Sequence, residues 1–336
     1  MADELRRARH DARILSLKPG GRPQLELRGT GKTAPVVWCS PATRGKTLAR
    51  AIKSFRPDTV ALHFAGRPGP WLTALLALRR KKGFRLALVF QDYRHPDLPP
   101  LTASHKKHLR RALLEADKTS AISSFVKNRL KQDFPDCAGK IRVIPNGAHN
   151  PAKTGKKQAK TGCILCVGRL AHYKGTDLLL MAYAAARQAG LRSRLVLCGG
   201  DFQIGRLRKF AERLGLGKDV EFTGVLSPER AAKLMRDCLY FCLFSRFESF
   251  GMAALEAMAC GKAVLLSGAG GMRDFAAHNR NALLVNPRNT ARAAKLLLLL
   301  EKDARLRARL GAAGRKTAAA FDWAEIARKY LDFYRG

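Results

Sequence analysis

Leu239-Tyr240-Phe241-Cys242-Leu243-Phe244, followed by Ser245-Arg246-Phe247-Glu248-Ser249-Phe250-Gly251-Met252-Ala253-Ala254-Leu255-Glu256-Ala257-Met258-Ala259-Cys260-Gly261, is the stretch that decides the fold. The first six residues form an apolar run of buried-strand length, and Ala253 to Ala259 is a run of small helix formers. The unit therefore reads strand, turn, helix, with Glu248 in the turn at the strand's carboxyl end, where open parallel sheets bind ligands. Glu256 follows eight residues later, inside the helix. Carboxylate oxygens accept hydrogen bonds from hydroxyls in pairs, which suits sugars. Two of them separated by about 12 Å of helix rise can grip both ends of a nucleotide sugar. Each also has a plainer reading: Glu248 as a partner of the helix dipole, Glu256 as a solvated helix residue.

Upstream, Thr161-Gly162-Cys163-Ile164-Leu165-Cys166-Val167-Gly168-Arg169 is a second apolar strand ending in glycine. A helix from Asp177 to about Ala189 follows, and Arg169 and Lys174 bracket the turn between them. Backbone N–H groups and the helix dipole favour an anion there. A guanidinium fork and an ammonium point charge would make a diphosphate clamp; otherwise they are two surface cations among many. Strand order bears on the choice. The second half reads as strands Cys163–Val167, Leu195–Cys198, Val220–Thr223, Leu239–Phe244, Ala263–Ser267 and Leu283–Val285. In a doubly wound sheet of order 3-2-1-4-5-6 the first and fourth lie side by side. The cations after the first strand and Glu248 after the fourth then converge.

These stretches resemble the retaining glycosyltransferases of family 4, which have the GT-B fold. The resemblance is carried by Val167-Gly168-Arg169-Leu170 with Lys174-Gly175, Cys198-Gly199-Gly200, Phe222-Thr223-Gly224-Val225, the Glu-x7-Glu of Phe244 to Gly261, Ile144-Pro145-Asn146-Gly147 and the tail Phe321-Asp322-Trp323-Ala324 to Tyr330. It covers residues 45 to 336 and is most specific between 163 and 285. It implies an α/β protein of two Rossmann-like, doubly wound parallel-sheet domains with a cleft between them. The implied domains are 1–150 for the acceptor, 161–315 for the nucleotide sugar, and a tail, 316–336, that packs back on the first. Glu248, Arg169 and Lys174 would be the catalytic set, with the cations on the donor diphosphate and Glu248 on the sugar hydroxyls. Gly168, Ser249 and the backbone N–H groups of Phe250, Gly251 and Met252 would face sugar and phosphate, Glu256 the ribose, and Val225 and Leu226 the base. The resemblance implies no metal and no cofactor beyond the nucleotide diphosphate sugar.

On the acceptor side, His63, Gln91 and Asp92 are the candidates. Many relatives carry His-Asp where this chain has Gln91-Asp92, and Gln cannot take a proton. Retention by front-side attack needs no protein base there, because the leaving diphosphate oxygen accepts the proton. His63 and His95 are alternative polar contacts, each with a structural or solvated reading beside it.

The chain has 336 residues, enough for two domains with their own cores. Its 63 Lys and Arg against 26 Asp and Glu leave a formal net charge of +37. Such a charge raises nucleic acid as a partner. The excess is nevertheless shared between the halves, with 30 basic and 11 acidic groups in residues 1–150, and no zinc-finger spacing or aromatic RNA-binding signature accompanies it. An anionic membrane surface fits better, drawn to Arg79-Arg80-Lys81-Lys82, Lys106-Lys107-His108-Leu109-Arg110-Arg111 and Lys127 to Lys131. The alternative is a solvated basic face. Eight cysteines without a secretory signal read as buried reduced thiols. Cys163 and Cys166 point to opposite faces of a strand and do not share a metal. No apolar run approaches the roughly 20 residues of a membrane span.

The first half alternates strand and helix, from Arg13–Leu17 through Val36–Cys39, Thr59–His63, Arg85–Gln91 and Thr119–Ile122 to Ile141–Ile144, which predicts one parallel sheet. Helices are expected over 47–55, 70–82, 103–116 and 124–134. The polar, aperiodic stretch 151–160 is the linker. Gly29-Thr30-Gly31-Lys32-Thr33 lacks the first glycine of a phosphate-binding loop, since Glu26 stands there, and reads as a turn. The family's first strand and Gly-rich loop have no clear counterpart. Either Ala2 to Arg9 is the end of the helix after them, or Arg13–Leu17 is the first strand and Pro19-Gly20-Gly21 the loop.

The expected function is transfer of a sugar from a nucleotide diphosphate sugar to a glycan or lipid-linked acceptor, as in lipopolysaccharide or other glycolipid assembly. The expected location is cytoplasmic, at the inner face of a membrane. Three rivals stand beside it: a nucleotide-sugar-binding GT-B protein without strong activity, a nucleotide-sugar 2-epimerase, and a basic nucleic-acid binder.

Overall fold

The computed structural model describes residues 14–17, 25–26, 36–39, 49–50, 52–54, 56–64, 70–148, 162–200 and 204–335. The linker, the Gly29–Thr33 turn, Ala2 to Arg9 and Pro19-Gly20-Gly21 lie outside them. The chain divides into two units, residues 1–147 with 323–336 and residues 148–322.

In the second unit the apolar runs become six short parallel strands: β8 (Ile164–Val167), β9 (Leu195–Cys198), β10 (Val220–Gly224), β11 (Tyr240–Leu243), β12 (Val264–Leu266) and β13 (Leu283–Leu284). β9, β11 and β12 are buried at every position. Such strands are apolar throughout because helices cover both faces of the sheet. The order is β10-β9-β8-β11-β12-β13, the 3-2-1-4-5-6 arrangement expected. β8 and β11 pair through Ile164 with Tyr240 and Leu165 with Phe241. Right-handed crossovers then force the connecting helices onto opposite faces on either side of β8. They are α4 (Thr176–Gln188), α5 (Ile204–Arg213), α6 (Pro228–Asp237) and α7 (Met252–Ala259), followed by α8 (Thr290–Lys302) and α9 (Ala304–Ala319). α8 packs on α4, and α9 on α7.

Seven cysteines, Cys137, Cys163, Cys166, Cys198, Cys238, Cys242 and Cys260, are free and buried. Burial pushes the Cys166 thiol up to about 12 and that of Cys242 well above its ordinary value. These thiols stay protonated and act as small core residues.

The first unit has a four-stranded parallel sheet, β4-β5-β6-β7, made of Thr59–Phe64, Arg85–Phe90, Lys118–Ala121 and Ile141–Val143. Its helices are α1 (Pro70–Lys82), α2 (Ala103–Glu115) and α3 (Ser124–Asp133). The expectation of a single parallel sheet is corrected here. β1 (Ile14–Leu17), β2 (Leu25–Glu26) and β3 (Val36–Cys39) form a three-stranded sheet of their own, and β2 runs antiparallel to β3. The connection from Glu26 to Val36 is too short for a parallel crossover, which takes about a dozen residues or more.

The last helix, α10 (Trp323–Arg335), belongs to the first unit. Ile326, Tyr330 and Phe333 join Ala87, Val89 and Ile144 in one buried cluster, and the Tyr330 hydroxyl donates to the Ile144 carbonyl at 3.3 Å. Two of the basic clusters are partly neutralised. Arg79 makes a fork on Asp117, and Arg80 and Arg111 share Glu115. Among the described residues no helix is long and apolar enough to cross a membrane.

The turn after β5 is held from one point. The Asp133 carboxylate, 7% exposed, accepts from Tyr93 Oη at 2.5 Å, from Arg94 and from Lys106 Nζ at 3.0 Å. Burial alone would raise the Asp133 pKa, but the donated hydrogen bonds outweigh it and hold the carboxyl below its usual value. Its contribution is therefore complete above about pH 4 and fades as the pH falls through the depressed value. Asp133→Ala is expected to cost about 2 kcal/mol in urea unfolding at pH 7, less than the roughly 3–5 kcal/mol of a broken buried pair because both cations are exposed. A loss below about 0.5 kcal/mol would show that Asp133 does not hold this turn.

Candidate functional site

At the β8–β11 switch, the Lys174 ammonium and the Glu248 carboxylate meet directly, Nζ to Oε2 at 2.7 Å. Glu248 is 9% exposed, and Ser245 Oγ also donates to its Oε2, at 3.3 Å. One member of the expected cation pair and one of the expected acidic pair are therefore joined across 74 residues of chain. Lys174 is held in a short helical turn, His172–Lys174, whose end is the left-handed Gly175, φ 64°. A Cβ at Gly175 would stand 2.0 Å from the Phe244 carbonyl oxygen. Gly175→Ala combines a left-handed alanine with a clash against backbone, so a loss of about 2 kcal/mol or more is expected in chemical denaturation. A neutral result would mean the turn can move away from β11.

The turn after β11 is pinned from two sides. Arg246 makes a fork on Asp177 at 2.7 Å for both bonds, and donates to the His172 carbonyl. On the other side, a Cβ at Gly270 would lie 2.0 Å from the Glu248 carbonyl oxygen, and Gly271 N–H donates to that oxygen at 2.9 Å. Only glycine lets the two backbones approach so closely.

Helix starts distinguish this end of the sheet. α2, α3, α6, α8 and α9 are each capped by a side chain: Thr102, Ser123, Ser227, Asn289 and Asp303. α4 and α7 start instead from Gly175 and Gly251, both with positive φ and neither offering a side-chain cap. In α4 the Asp177 carboxylate itself accepts from the Leu178 N–H, whereas α7 has no acidic residue in its first turn and offers its N–H groups to a ligand at the positive end of its dipole.

The other expected donor residues are placed as follows. Arg169 is exposed just after β8, next to the half-buried Gly168. Ser249 and Met252 are half-buried, whereas the Phe250 ring is buried against Phe275 and Phe321, which leaves that residue's backbone to face a ligand. Val225, after β10, is 81% exposed, and Leu226 beside it is half-buried. Glu256 sits half-buried on α7, and burial pushes its carboxyl above the usual carboxylate range. It has no hydrogen-bond donor or ion-pair partner among the described residues.

In the first unit His63, Gln91 and Asn146 form a chain at the carboxyl ends of the strands. Asn146 Nδ2 donates to Gln91 Oε1 at 2.8 Å, and Gln91 Nε2 meets His63 Nδ1 at 3.1 Å. Surrounding protein lowers the His63 pKa to about 4. The ring is itself open to solvent, which screens the shift, but its direction leaves the imidazole neutral at pH 7 and able to accept from Gln91. Asp92 Oδ1 accepts from the Tyr93 N–H at 2.6 Å. His95 accepts from the Asp97 N–H in a local turn.

Sequence reasoning missed Ser245, Arg246, Asp177, Gly270 and Asn146 as supports. Asp177 and Arg246 carry a signal, since they lie in turns already assigned to one strand end. Ser245 shares the turn of Arg246 and Asn146 lies in the Ile144–Gly147 stretch quoted above, so of the five Gly270 is the one recognisable by contact alone. Among the described residues no three His, Cys, Asp or Glu side chains form a metal-ligand set.

The family model described as glycosyl transferases group 1 matches residues 150–317, and that described as glycosyltransferase family 4 matches residues 1–149. Among curated proteins, the chain is 29% identical over 249 residues to a GDP-mannose-dependent alpha-(1-6)-phosphatidylinositol monomannoside mannosyltransferase of Mycobacterium tuberculosis, covering 68% of this chain and 64% of that one. It is 31% identical over 251 residues to a D-inositol 3-phosphate glycosyltransferase of Acidothermus cellulolyticus, covering 67% and 56%. The matched region thus spans less than two thirds of these relatives' length. Among solved structures, a glycosyltransferase from Rickettsia africae superposes with a TM-score of 0.78 at 20% identity, covering 99% of this chain and 92% of that one. Anabaena HepE in complex with UDP and glucose gives 0.74 at 19% identity, covering 96% and 99%. Both carry the same two-domain α/β fold.

Proposed function

The chain belongs to the glycosyl transferases group 1 family, and on that premise we propose that it moves a sugar from a nucleoside diphosphate sugar to a hydroxyl acceptor, with retention at the anomeric carbon and without a metal. The observation that carries this is the Lys174–Glu248 pair beside the N-terminus of α7, which has no side-chain cap and no acidic residue in its first turn. Arg169 and the first turn of α7 receive the diphosphate. Glu248 accepts from donor-sugar hydroxyls, and its hold on Lys174 places an ammonium beside the leaving group. Glu256 takes the ribose diol, and the open Val225 with Leu226 provides an apolar seat for the base. The anomeric carbon–oxygen bond to phosphate breaks as the bond to the acceptor oxygen forms, and the acceptor's proton passes to the leaving diphosphate oxygen. Fixed cations and amides stabilise the charge that develops there. Gln91, oriented by Asn146 and His63, and Asp92 serve the acceptor as hydrogen-bonding groups.

The named substrates of the relatives support a nucleotide sugar and a phosphorylated or lipid-linked polyol acceptor. The net charge of +37 supports an acceptor presented at an anionic membrane surface, as in glycolipid assembly. The test is incubation with a panel of UDP-, GDP- and ADP-sugars, read by thermal stabilisation and by release of the nucleotide. A sugar at about 100 times its Kd adds about 2.7 kcal/mol. Stabilisation by one of them, with transfer or slow hydrolysis, is the expected result. Stabilisation without turnover toward any acceptor would reduce the protein to a nucleotide-sugar binder. No stabilisation by any would remove the donor reading.

A further inference from the structure

The second unit holds a cavity of about 440 Å³ that the donor reading does not use. It lies at the carboxyl ends of β11, β12 and β13, and its lining includes Arg246, Arg273 and Arg288, with Ser267 and Asn286. No carboxylate is among its lining residues. The three guanidiniums differ in state. Arg246 is neutralised by its fork on Asp177. Arg273 donates from Nε to the Gly268 carbonyl at 2.7 Å, which fixes the side chain and leaves its terminal nitrogens. Arg273 and Arg288 are both exposed, and neither has an acidic partner among the described residues. Asn286 Oδ1 accepts from the Arg288 N–H at 3.1 Å, so a local turn presents Arg288 at the rim, two residues before the positive end of α8. The rest of the lining includes Leu178, Leu284 and Val285, an apolar wall.

Two unpaired forks in a cavity match the oxygens of a phosphate better than they match any neutral group. The volume is several times that of the bare anion and falls in the range of small-molecule sites. A polar hydroxyl, Ser267, and the apolar wall suit an uncharged body attached to the phosphate. Ser245 marks the boundary with the neighbouring site: its Oγ faces Glu248, while its carbonyl accepts from Ser267 Oγ at 2.7 Å.

We propose that this cavity is a second ligand site, separate from that of the donor, which binds a small phosphorylated molecule of hexose phosphate size through Arg273 and Arg288. The inference stands whether or not the donor reading does, since it uses none of the donor residues.

The test is calorimetric titration of the whole chain with glucose 6-phosphate and, separately, with inorganic phosphate. Glucose 6-phosphate is expected to bind, and Arg288→Glu to weaken it roughly tenfold or more. Because Arg288 is exposed and makes no ion pair among the described residues, this variant is expected to fold, which its melting curve checks. Arg273→Ala is the second variant. Arg169→Ala should leave the affinity unchanged, and saturating UDP should not displace the ligand. Inorganic phosphate binding as tightly as glucose 6-phosphate, with the same loss in Arg288→Glu, assigns the site to the free anion. Failure of both ligands to bind, unchanged affinity in both arginine variants, or displacement by UDP would overturn the proposal. UDP titrated into Arg288→Glu reports the donor site independently.

Discussion

Glu256→Gln will weaken nucleotide-sugar binding by about 10- to 100-fold and at the same time raise the melting temperature of the free protein. The first effect follows from the proposed ribose role. Two hydrogen bonds to a charged acceptor become bonds to a neutral amide, a loss of about 1.5–3 kcal/mol. The second follows from burial, which raises the Glu256 pKa and is not offset by any partner among the described residues. A glutamate whose folded pKa lies above its unfolded value holds its proton longer in the native state. It therefore destabilises the fold at pH 7, and that penalty disappears as the pH falls toward about 4.3 and below. The advantage of the Glu256→Gln variant should shrink over the same window, with Tm changing by about 2–4 °C per kcal/mol for a unit of this size. Donor affinity of the unmodified protein should fall as the pH drops through the raised pKa, because the neutral carboxyl accepts less well. Isothermal titration and melting curves at pH 7.5 and 4.5 decide both. A variant with undiminished affinity, or one that melts lower, would remove Glu256 from the ribose.

Lys174→Met should lower turnover by about 100-fold or more while costing roughly 3 kcal/mol of stability. The pair is largely enclosed, with side-chain exposures of 18% and 11%, so removing the ammonium strands a carboxylate to which, among the described residues, Ser245 alone still donates. Adding Glu248→Gln to that variant removes the stranded charge. The double variant should regain most of the stability and none of the turnover. This separation is what a merely structural ion pair would fail to give, since stability and activity would then recover together. Activity retained in Lys174→Met within about threefold would end the catalytic assignment of the pair.

Much of the donor-side architecture was legible before any coordinates. The strands are short apolar runs bounded by glycine, and a parallel sheet covered on both faces produces that pattern. Chain order alone then implied that Lys174 and Glu248 would meet, because the first and fourth strands of such a sheet are neighbours. Less legible was what the two do to each other. The reading had both cations on phosphate and both acids on hydroxyls, whereas Lys174 donates to Glu248 at 2.7 Å. A pattern of spacings reports which turns share an end of the sheet, and side-chain reach within that end is a matter of a few ångströms. The first unit was misread for a related reason. Alternation of strands and helices predicts one parallel sheet, but nine residues between β2 and β3 cannot cross over, and pairing became antiparallel.

Gln91 shows the same division. Its identity is plain in the chain, as is its inability to take a proton, but its orientation comes from Asn146, 55 residues away. The Arg273 and Arg288 cavity had no sequence signal at all, since arginines are frequent here and only folding reveals which lack an acidic neighbour.

By itself, the order of residues determined the second unit's strand sequence, its switch point and the chemistry delivered there, because these follow from local periodicity and from rules of handedness. Tertiary structure alone decided which charges neutralise one another, which remain open, and which glycine backbones press together. Those outcomes depend on contacts between segments far apart in the chain, and hydrogen bonds and ion pairs change character over a single ångström.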